Sequence, residues 1–394
     1  MKLLIFSFYY PPDLCAGSFR CGALVDALER AMPRGMSVEV ITTQPNRYKG
    51  SIPGTKAIEQ RGAIRVHRIE LPDHDSGMMD QARAFGAFAR QALSIARATG
   101  PHDAVFATSS RLMTAALGAW ESRRSGAPLY LDIRDLFVET ITDVVRDSRA
   151  RLLLPGMKVI ERATFGRADA INVVSPGFIE DMVRLAPKAT LRTFSNGIDD
   201  EFLELSLNSS RAERTPLILY AGNIGEGQGL HEIVPQAARM LAGRARFRIV
   251  GHGGRAVQLA NATRGLDNVE IVPPVPRARL LEEYANADIL LLHLNDVPAF
   301  LKVLPSKLFE YGALGRPILA GLAGVSADFL RSELSDAVLF APCDVEGLVR
   351  GYEQLRTVIQ IPDRSEFKQR FARRRIMDQM AADLVAFTRR AAKG

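Results

Sequence analysis

The 394-residue chain contains three cysteines, one tryptophan and no uncharged apolar stretch of 18 residues. Cys15, Cys21 and Cys343 fit neither a paired disulfide framework nor a C-x-x-C metal clip, so a reducing, cytoplasmic compartment is expected. Without a long apolar stretch, no segment reads as a membrane-spanning helix. The first apolar run follows Met1 and Lys2 and meets Pro11 and Pro12 at once, too short for the apolar region of a signal peptide. Low-complexity segments and short-period repeats are also missing.

What is present is ample core material, 47% apolar against 24% charged residues, in a chain longer than one hydrophobic core usually serves. The net charge of +7 is concentrated at one end. From Arg364 onward there are nine Lys or Arg against three Asp or Glu, so +6 of it lies there. No recognisable nucleic-acid module or interleaved aromatics accompany this tail, and no nucleic-acid partner is expected. A solvated helix, or one drawn to anionic lipid or to the rest of the protein, accounts for it better.

Short β-rich runs alternate with helix-like segments, the pattern of parallel sheets covered on both faces. The first series is Leu3 to Phe8, Val38 to Thr42, Ile64 to Ile69, Ala104 to Ala107, Leu129 to Ile133 and Ala170 to Val174. The second is Leu217 to Ala221, Phe247 to Val250, Val269 to Val272, Ile289 to His293, Pro317 to Ala320 and Val338 to Phe340. Two such series predict two doubly wound, Rossmann-like α/β domains, with a seam near Ser195, Asn196 and Gly197. The expected division is residues 1–195, residues 196–362, and a basic helix over residues 363–394 that packs back on the first domain. Phe367, Phe371, Met377, Met380, Leu384 and Phe387 are its candidate apolar positions.

In open α/β sheets ligands sit at the carboxyl ends of strands, where glycine loops and helix starts face phosphate. After the first strand, Gly17 allows close approach of a phosphate or sugar, or serves the turn alone. The first strand of the second series runs into Gly222-Asn223-Ile224-Gly225-Glu226-Gly227-Gln228-Gly229, which lacks the spacing and Lys-Ser/Thr pair of a P-loop. The next strand ends in Gly251-His252-Gly253-Gly254. More informative is Pro305-Ser306-Lys307-Leu308-Phe309-Glu310-Tyr311. Pro305 starts a helix, Ser306 and Lys307 occupy its first turn, and Glu310 follows one turn later on the same side. That spacing suits a diphosphate at the helix start and a ribose diol at the carboxylate; a capped helix with a dipole-facing Glu is the plainer alternative. Asp132, Arg134 and Asp135, just past the fifth strand, read as candidates to orient an acceptor or act as a general base, or as a structural Arg–carboxylate pair. The six histidines are scattered and read as packing or surface residues. Asp73-His74-Asp75 is the nearest paired-carboxylate spacing for a metal and reads as a solvated turn, so no essential metal or other cofactor is expected. Met78 to Ala98 and Arg146 to Arg167 mix apolar and basic residues, either as core-facing stripes or as helices lying on an anionic bilayer.

These motifs resemble glycosyltransferase family 4, retaining enzymes of the GT-B fold, whose two Rossmann-like domains face each other across a cleft. The resemblance runs from the Pro-Pro-Asp and Ala16-Gly17 loop, through Asn196-Gly197-Ile198-Asp199, to the Glu310 helix and Gly315-Arg316-Pro317. It is most similar to transferases of bacterial surface-polysaccharide, lipopolysaccharide and O-antigen assembly, which share the Asp132-to-Leu136 and Pro305-to-Tyr311 runs. The resemblance implies that Glu310 contacts the nucleotide ribose and that backbone near Pro305 and Ser306 meets the diphosphate. It also implies that Gly222, Asn223 and Gly225 face the same phosphates and that Val275 lies beside the base. The family's further Glu, eight residues before the ribose Glu, is Lys302 here. The Arg or Lys that many members carry in the first glycine loop of the second domain is replaced locally by Glu226 and Gln228, shifting charge neutralisation to Lys302, Lys307 or the backbone. The implied activity is transfer from a nucleoside-diphosphate sugar, expected to be a UDP-sugar, to a saccharide or lipid-linked acceptor; a lipid-linked acceptor at the cytoplasmic face of the inner membrane would make peripheral contact of the amphipathic basic segments with anionic lipid useful. A nucleotide-sugar 2-epimerase of the same fold and a non-catalytic nucleotide- or sugar-binding protein are the competing expectations.

Overall fold

Most strand runs of the first series are nearly pure hydrocarbon, as strands buried on both faces require, although Val38–Thr42 carries Glu39 and Ile64–Ile69 carries Arg65, His67 and Arg68. In the computed structural model, which describes residues 1–13, 15–45, 55–72, 78–109, 111–144, 153–205, 214–356 and 362–393, these runs form two sheets in two compact units. One unit is Met1–Asn196 together with Arg373–Gly394, and the other is Gly197–Ala372.

The first unit's sheet has eight strands: β1 (Lys2–Phe6), β2 (Ser37–Thr43), β3 (Ile58–Arg61), β4 (Ile64–Ile69), β5 (Ala104–Thr108), β6 (Leu129–Ile133), β7 (Ala170–Val173) and β8 (Thr190–Arg192). Their spatial order is β3-β4-β2-β1-β5-β6-β7-β8. All neighbours run parallel except the β3–β4 hairpin. Strand order reverses between β1, which pairs Leu3 with Val38 of β2, and β5, where Leu3 faces Ala104. Loops at the carboxyl ends of β1 and β5 therefore open on the place where such sheets bind ligands. Two edge strands, β3 and β8, have no counterpart among the expected runs. β3 is Ile-Glu-Gln-Arg with exposed positions, and β8 is three residues long. Neither buries enough hydrocarbon to leave an apolar signal.

Helices cover the sheet by conventional stripes. On Met78–Thr99, Ala84, Phe88, Ala92 and Ala96 recur every fourth residue and all are buried. That stripe is turned into the core, which accounts for the amphipathic pattern of this segment. The basic tail forms two helices, Ser365–Phe371 and Arg373–Ala391. The break falls at Ala372, whose extended backbone bridges to Ile198. Phe367 and Phe371 pack into the second unit's core, whereas Met377, Met380, Ala381 and Leu384 join the first unit's core against Leu24 and Leu28. Met377, Met380 and Leu384 are fully buried, an upper-bound gain of about 2 kcal/mol each from hydrocarbon removed from water.

The second unit's sheet is entirely parallel: β9 (Leu217–Asn223), β10 (Arg246–His252), β11 (Val269–Val272), β12 (Ile289–His293), β13 (Ile318–Gly321) and β14 (Val338–Phe340), in the order β11-β10-β9-β12-β13-β14. Order reverses between β9 and β12. The loop after β9 is the glycine-rich segment, and the chain after β12 leads to the helix Lys307–Leu314. The topology thus brings the two most suggestive motifs of this half to one edge of one sheet.

Candidate active site

The last residues of β9 stay paired with β10 as far as Asn223, and glycine removes the side chains that would block their close approach. Gly222 has φ near +151°, and a Cβ there would collide with Cε and Nζ of Lys307. Its register partner on β10 is Gly251, at φ +152°, where a Cβ would overlap the Gly222 carbonyl. Both positions need glycine for conformation and for space. The loop that follows is tied back on itself. Tyr220 donates its hydroxyl proton to the Asn223 carbonyl at 2.7 Å, and Gln228 Oε1 accepts from Asn223 Nδ2 at 2.7 Å and from the Gly225 amide at 3.2 Å. Gly253 packs beside Asn223 and the Ile224 carbonyl. Glu226 is ion-paired with Arg255, so the carboxylate of this loop is compensated from the next strand's loop.

The helix Lys307–Leu314 starts at Ser306 with no side chain capping it. The Leu308 and Phe309 amides turn back to the Pro305 and Ser306 carbonyls at 3.1 Å each, so the amides of Ser306 and Lys307 are the ones placed for an external acceptor. The Lys307 ammonium lies over the Tyr220 ring, 5.7 Å from its centre. Burial lowers its pKa from the ordinary lysine value, Glu310 opposes that shift, and Arg277 adds to it. Glu310 is 9% exposed and accepts from the Tyr284 hydroxyl at 3.4 Å. Burial raises Tyr284 far above the ordinary phenol range, so its proton stays available for that bond. Arg277 stacks over Phe202 and pairs with Asp199 at 2.7 Å and Glu201 at 2.5 Å. Desolvation works against its charge, but Glu310, Asp199 and Glu201 together raise its pKa. Lys307, Glu310 and Arg277 therefore form one electrostatic group beside Gly222. Pro305 and Ser306 precede the helix, Lys302 ends the short turn Pro298–Lys302, and Val275 packs at the edge of the same core, two residues before Arg277.

In the first unit Asp132 is the penultimate residue of β6, inside the strand and not past it as expected, and is 2% exposed. Arg20 holds it through two bonds, Nε to Oδ2 at 2.9 Å and Nη2 to Oδ1 at 3.0 Å, and Asn172 Nδ2 donates at 2.7 Å. Burial would raise the Asp132 pKa, but Arg20 outweighs it and the net shift is downward. Arg20 also donates to the carbonyls of Phe194 and Ser195 at 2.8 and 2.7 Å. This is a buried bidentate pair that ties β6 to the segment leaving the unit. Arg134 donates to the Ala16 carbonyl at 3.1 Å, close to Gly17 in the first turn of the helix Ala16–Ala31. Burial and Arg20 lower Arg134 to about 10, so it remains cationic at neutral pH. Asp135 accepts from Thr140 at 3.1 Å, and burial raises its pKa. The three acceptor-side candidates thus divide: Asp132 is fully engaged, whereas Arg134 and Asp135 are half-buried at the carboxyl edge of the sheet. Asp73, His74 and Asp75 lie outside the described residues. Among the described residues no group of three or more His, Cys, Asp or Glu is placed to hold a metal ion.

Comparison with known proteins agrees with this architecture in both units. Residues 20–197 match the glycosyl transferase 4-like domain, and residues 204–370 match glycosyl transferases group 1. The chain belongs to the family-4-like glycosyltransferases. WcaI of Escherichia coli (strain K12), named as a colanic acid biosynthesis glycosyl transferase, is 26% identical over 95% of this chain and 96% of its own length. Among solved structures, HepE of Anabaena in complex with UDP-glucose aligns with a TM-score of 0.67 at 16% identity, covering 98% of this chain and 99% of that one. WaaG, a glycosyltransferase involved in lipopolysaccharide biosynthesis, aligns with a TM-score of 0.65 at 17% identity, covering 99% and 98%. At such identity the structural likenesses speak for the GT-B fold of two Rossmann-like domains.

Several residues that organise the transferase's site escape a reading of its sequence. His293, at the end of β12, is fully buried. Its Nδ1 lies 2.7 Å from the Gln228 carbonyl and its Nε2 accepts from the Cys343 amide at 2.9 Å. A carbonyl can only accept, so Nδ1 carries the proton and the ring is neutral. Burial pushes its pKa down to about 4. Asn295 adds a bond from its amide to the Glu226 carbonyl at 3.1 Å. Together they clamp the glycine loop of this transferase to the adjoining strand. Arg277 and Tyr284, which flank Glu310, come from the helix Arg277–Asn286. Only the presence of a lone polar residue ending an apolar run, as in Leu290-Leu291-Leu292-His293, could have drawn attention to the clamp.

Proposed function

We propose that this transferase moves a sugar, with retention of configuration, from a nucleoside-diphosphate sugar to a saccharide or lipid-linked acceptor during cell-surface polysaccharide assembly. We take the donor to be a UDP-sugar held by the second unit. The supporting observation is the grouping of an uncapped helix start, a cation and a buried carboxylate beside a strand end cleared by Gly222. The amides near Ser306 and the Lys307 ammonium suit a diphosphate, while Glu310, held by Tyr284, presents its second oxygen to a ribose diol. Gly222, Asn223, Gly225, Gly251 and Gly253 give backbone access to the phosphates, Val275 offers an apolar contact for the base, and Pro305 fixes the helix entry. Lys302 stands where the family's other Glu is usual and adds positive charge on the same approach.

As the glycosidic bond to phosphate breaks, negative charge accumulates on the leaving diphosphate. Lys307 and the helix amides stabilise that charge more in the transition state than before it. The leaving phosphate can take the acceptor's proton, so no protein base is required. Asp132 would have to surrender its Arg20 and Asn172 bonds to serve as one, and we assign it instead to positioning the segment around Ser195. Arg134, near Gly17, and Asp135, whose raised pKa brings it closer to neutral, are the acceptor-side groups. The relative WcaI supports the surface-polysaccharide setting, and HepE supports UDP-glucose as a donor type. We place the enzyme peripherally on the cytoplasmic face of the inner membrane, where a lipid-linked acceptor would be found. No helix among the described residues is long and apolar enough to cross a membrane.

A thermal-shift panel of UDP, GDP, ADP, CMP and their sugar conjugates tests the donor site. The expected result is stabilisation by one nucleoside diphosphate family, lost in Glu310→Ala. Unchanged affinity in a folded Glu310→Ala protein would remove the site. Incubation with acceptor separates transfer from epimerised donor and from binding without turnover, and transfer in excess EDTA would support a metal-independent reaction.

A further inference from the structure

Large apolar side chains left in solvent are unevenly distributed. Of the twelve exposed large hydrophobics among the described residues, eight lie between Met113 and Val183, on helices of the first unit that pack side by side. The helix Leu154–Phe165 shows the pattern most clearly. Its inner side is formed by Thr164 and Phe165, with Leu154, Met157 and Glu161 half-buried. At 100° per residue, Gly156, Val159, Ile160 and Ala163 share the face turned away from Leu154, Glu161 and Phe165, with Leu153 at its edge. Leu153 is 50% exposed and Val159 69%. This helix therefore buries one side and presents a second apolar stripe to solvent, unlike Met78–Thr99, whose stripe is consumed by the core.

The neighbouring helix Leu112–Ser125 repeats the arrangement. Met113, Ala116, Trp120 and Arg123 fall on one outward face, and Trp120, the chain's single tryptophan, is 60% exposed. Arg123 donates to the Ala163 carbonyl at 3.0 Å, joining the two outer faces. Charge on the two helices is mostly of one sign. Arg123, Arg124, Lys158 and Arg162 are exposed; of the two helices' carboxylates, Glu121 is buried and paired with Arg124 and Glu161 is half-buried, while Glu180 is exposed on the neighbouring helix Ile179–Leu185. Phe137 continues the apolar surface two residues beyond Asp135, on a helix that packs against Leu154–Phe165.

We propose that this face docks on an anionic lipid bilayer. An apolar stripe edged by cations and carrying an exposed indole matches the headgroup boundary, where hydrocarbon is buried, the indole N–H stays hydrated and basic side chains meet anionic headgroups. A stable contact between two copies would set Arg123, Lys158 and Arg162 against the same three cations, which charge complementarity disfavours. The proposal deepens the reading of a lipid-linked acceptor and rests on it for its purpose, since Phe137 on this face lies two residues beyond Asp135. Its test does not depend on turnover.

The full chain is mixed with extruded vesicles of phosphatidylglycerol and phosphatidylethanolamine, or of phosphatidylcholine, while Trp120 emission and co-sedimentation are followed at 0.1 and 0.5 M NaCl. Expected are a blue shift and sedimentation with the anionic vesicles alone, weakened by salt. The double variant Val159→Ser/Ile160→Ser, which keeps the reporter, should bind about tenfold less tightly, and Lys158→Gln/Arg162→Gln should lose most of the salt dependence. Both keep the nucleotide-induced thermal shift of the parent, so a failed donor panel and a failed vesicle experiment remain separate results. Unchanged Trp120 emission with anionic vesicles would overturn the proposal. Wild-type vesicle affinity in Val159→Ser/Ile160→Ser, or a dimer that this variant dissociates in the absence of vesicle binding, would do the same.

Discussion

Replacing His293 with Phe preserves the ring's volume and removes both of its hydrogen bonds. The Gln228 carbonyl and the Cys343 amide then lose their partner, and each unsatisfied group costs about 1–3 kcal/mol. Protonation adds a separate, pH-dependent contribution that comes from burial, since the Gln228 bond by itself favours the charged ring. A second proton on the ring would need Nε2, which already accepts from Cys343, and the pKa falls from 6.5 to about 4. At about 1.4 kcal/mol per tenfold change in proton affinity, that fall corresponds to roughly 3 kcal/mol. The two orphaned groups put the clamp itself at about 3 kcal/mol, equivalent to roughly a hundredfold change in local opening. Because the folded-state pKa is depressed, the unfolded chain binds the extra proton more readily. This contribution is therefore complete above pH 6.5 and is lost as pH falls toward 4. Hydrogen exchange followed by mass spectrometry on peptides covering residues 224–230 and 341–345 measures the effect where it arises. At pH 7.5 His293→Phe should exchange there about a hundredfold faster, with β1 to β8 unaffected, and its stability deficit in urea should shrink as pH is lowered to 4.5. A deficit that stays constant across that range would refute the assigned tautomer and clamp.

Asp132→Asn leaves Arg20 buried without its counter-charge and should destabilise the first unit by about 3–5 kcal/mol, read from the urea dependence of Trp120 emission. Glu161, raised by burial to about 7 from 4.5, holds its proton more tightly when folded, so stability declines between pH 4.5 and 7 and levels off above. Glu161→Gln should remove that decline and gain about 1–2 kcal/mol at pH 8, a figure reduced for partial exposure; equal slopes in both proteins would contradict it. Gly222→Ala forces a side chain into a left-handed backbone position and against Lys307, at about 1–3 kcal/mol. Calorimetry should find nucleotide affinity at least tenfold lower with the fold retained. Lys307→Met should weaken diphosphate binding by about ten- to a hundredfold while leaving nucleoside binding nearly unchanged.

Much of the fold is legible from local hydrocarbon. Twelve strands are legible as β-rich runs, most of them apolar because both of their faces are covered. The two that are not, β3 and β8, are short edges with little to bury. The same logic reaches part of the site: Pro305, Lys307 and Glu310 follow helix spacing, which neighbouring residues can reveal. What surrounds them is set by strand order, a long-range property. Arg277 and Tyr284 approach Glu310 because their helix packs beside β9, and His293 meets Gln228 because β12 lies next to β9. Asp132 carries a similar lesson. Its Asp-x-Arg-Asp context suggests chemistry, yet its partner Arg20 sits 112 positions earlier, and no local pattern links the two.

The first unit is discontinuous in the chain, and this orders events during synthesis. Its sheet is complete by Arg192, but the helix that seals one face against Leu24 and Leu28 emerges only after all of Gly197–Ala372. At about 5–20 residues per second, that interval lasts on the order of 10–35 s. Throughout it the half made first waits with Leu24 and Leu28 unsealed, while the half made second can already close. Damage to the distal helix should therefore appear as aggregation or proteolysis of the amino-terminal half, far away in sequence from the lesion.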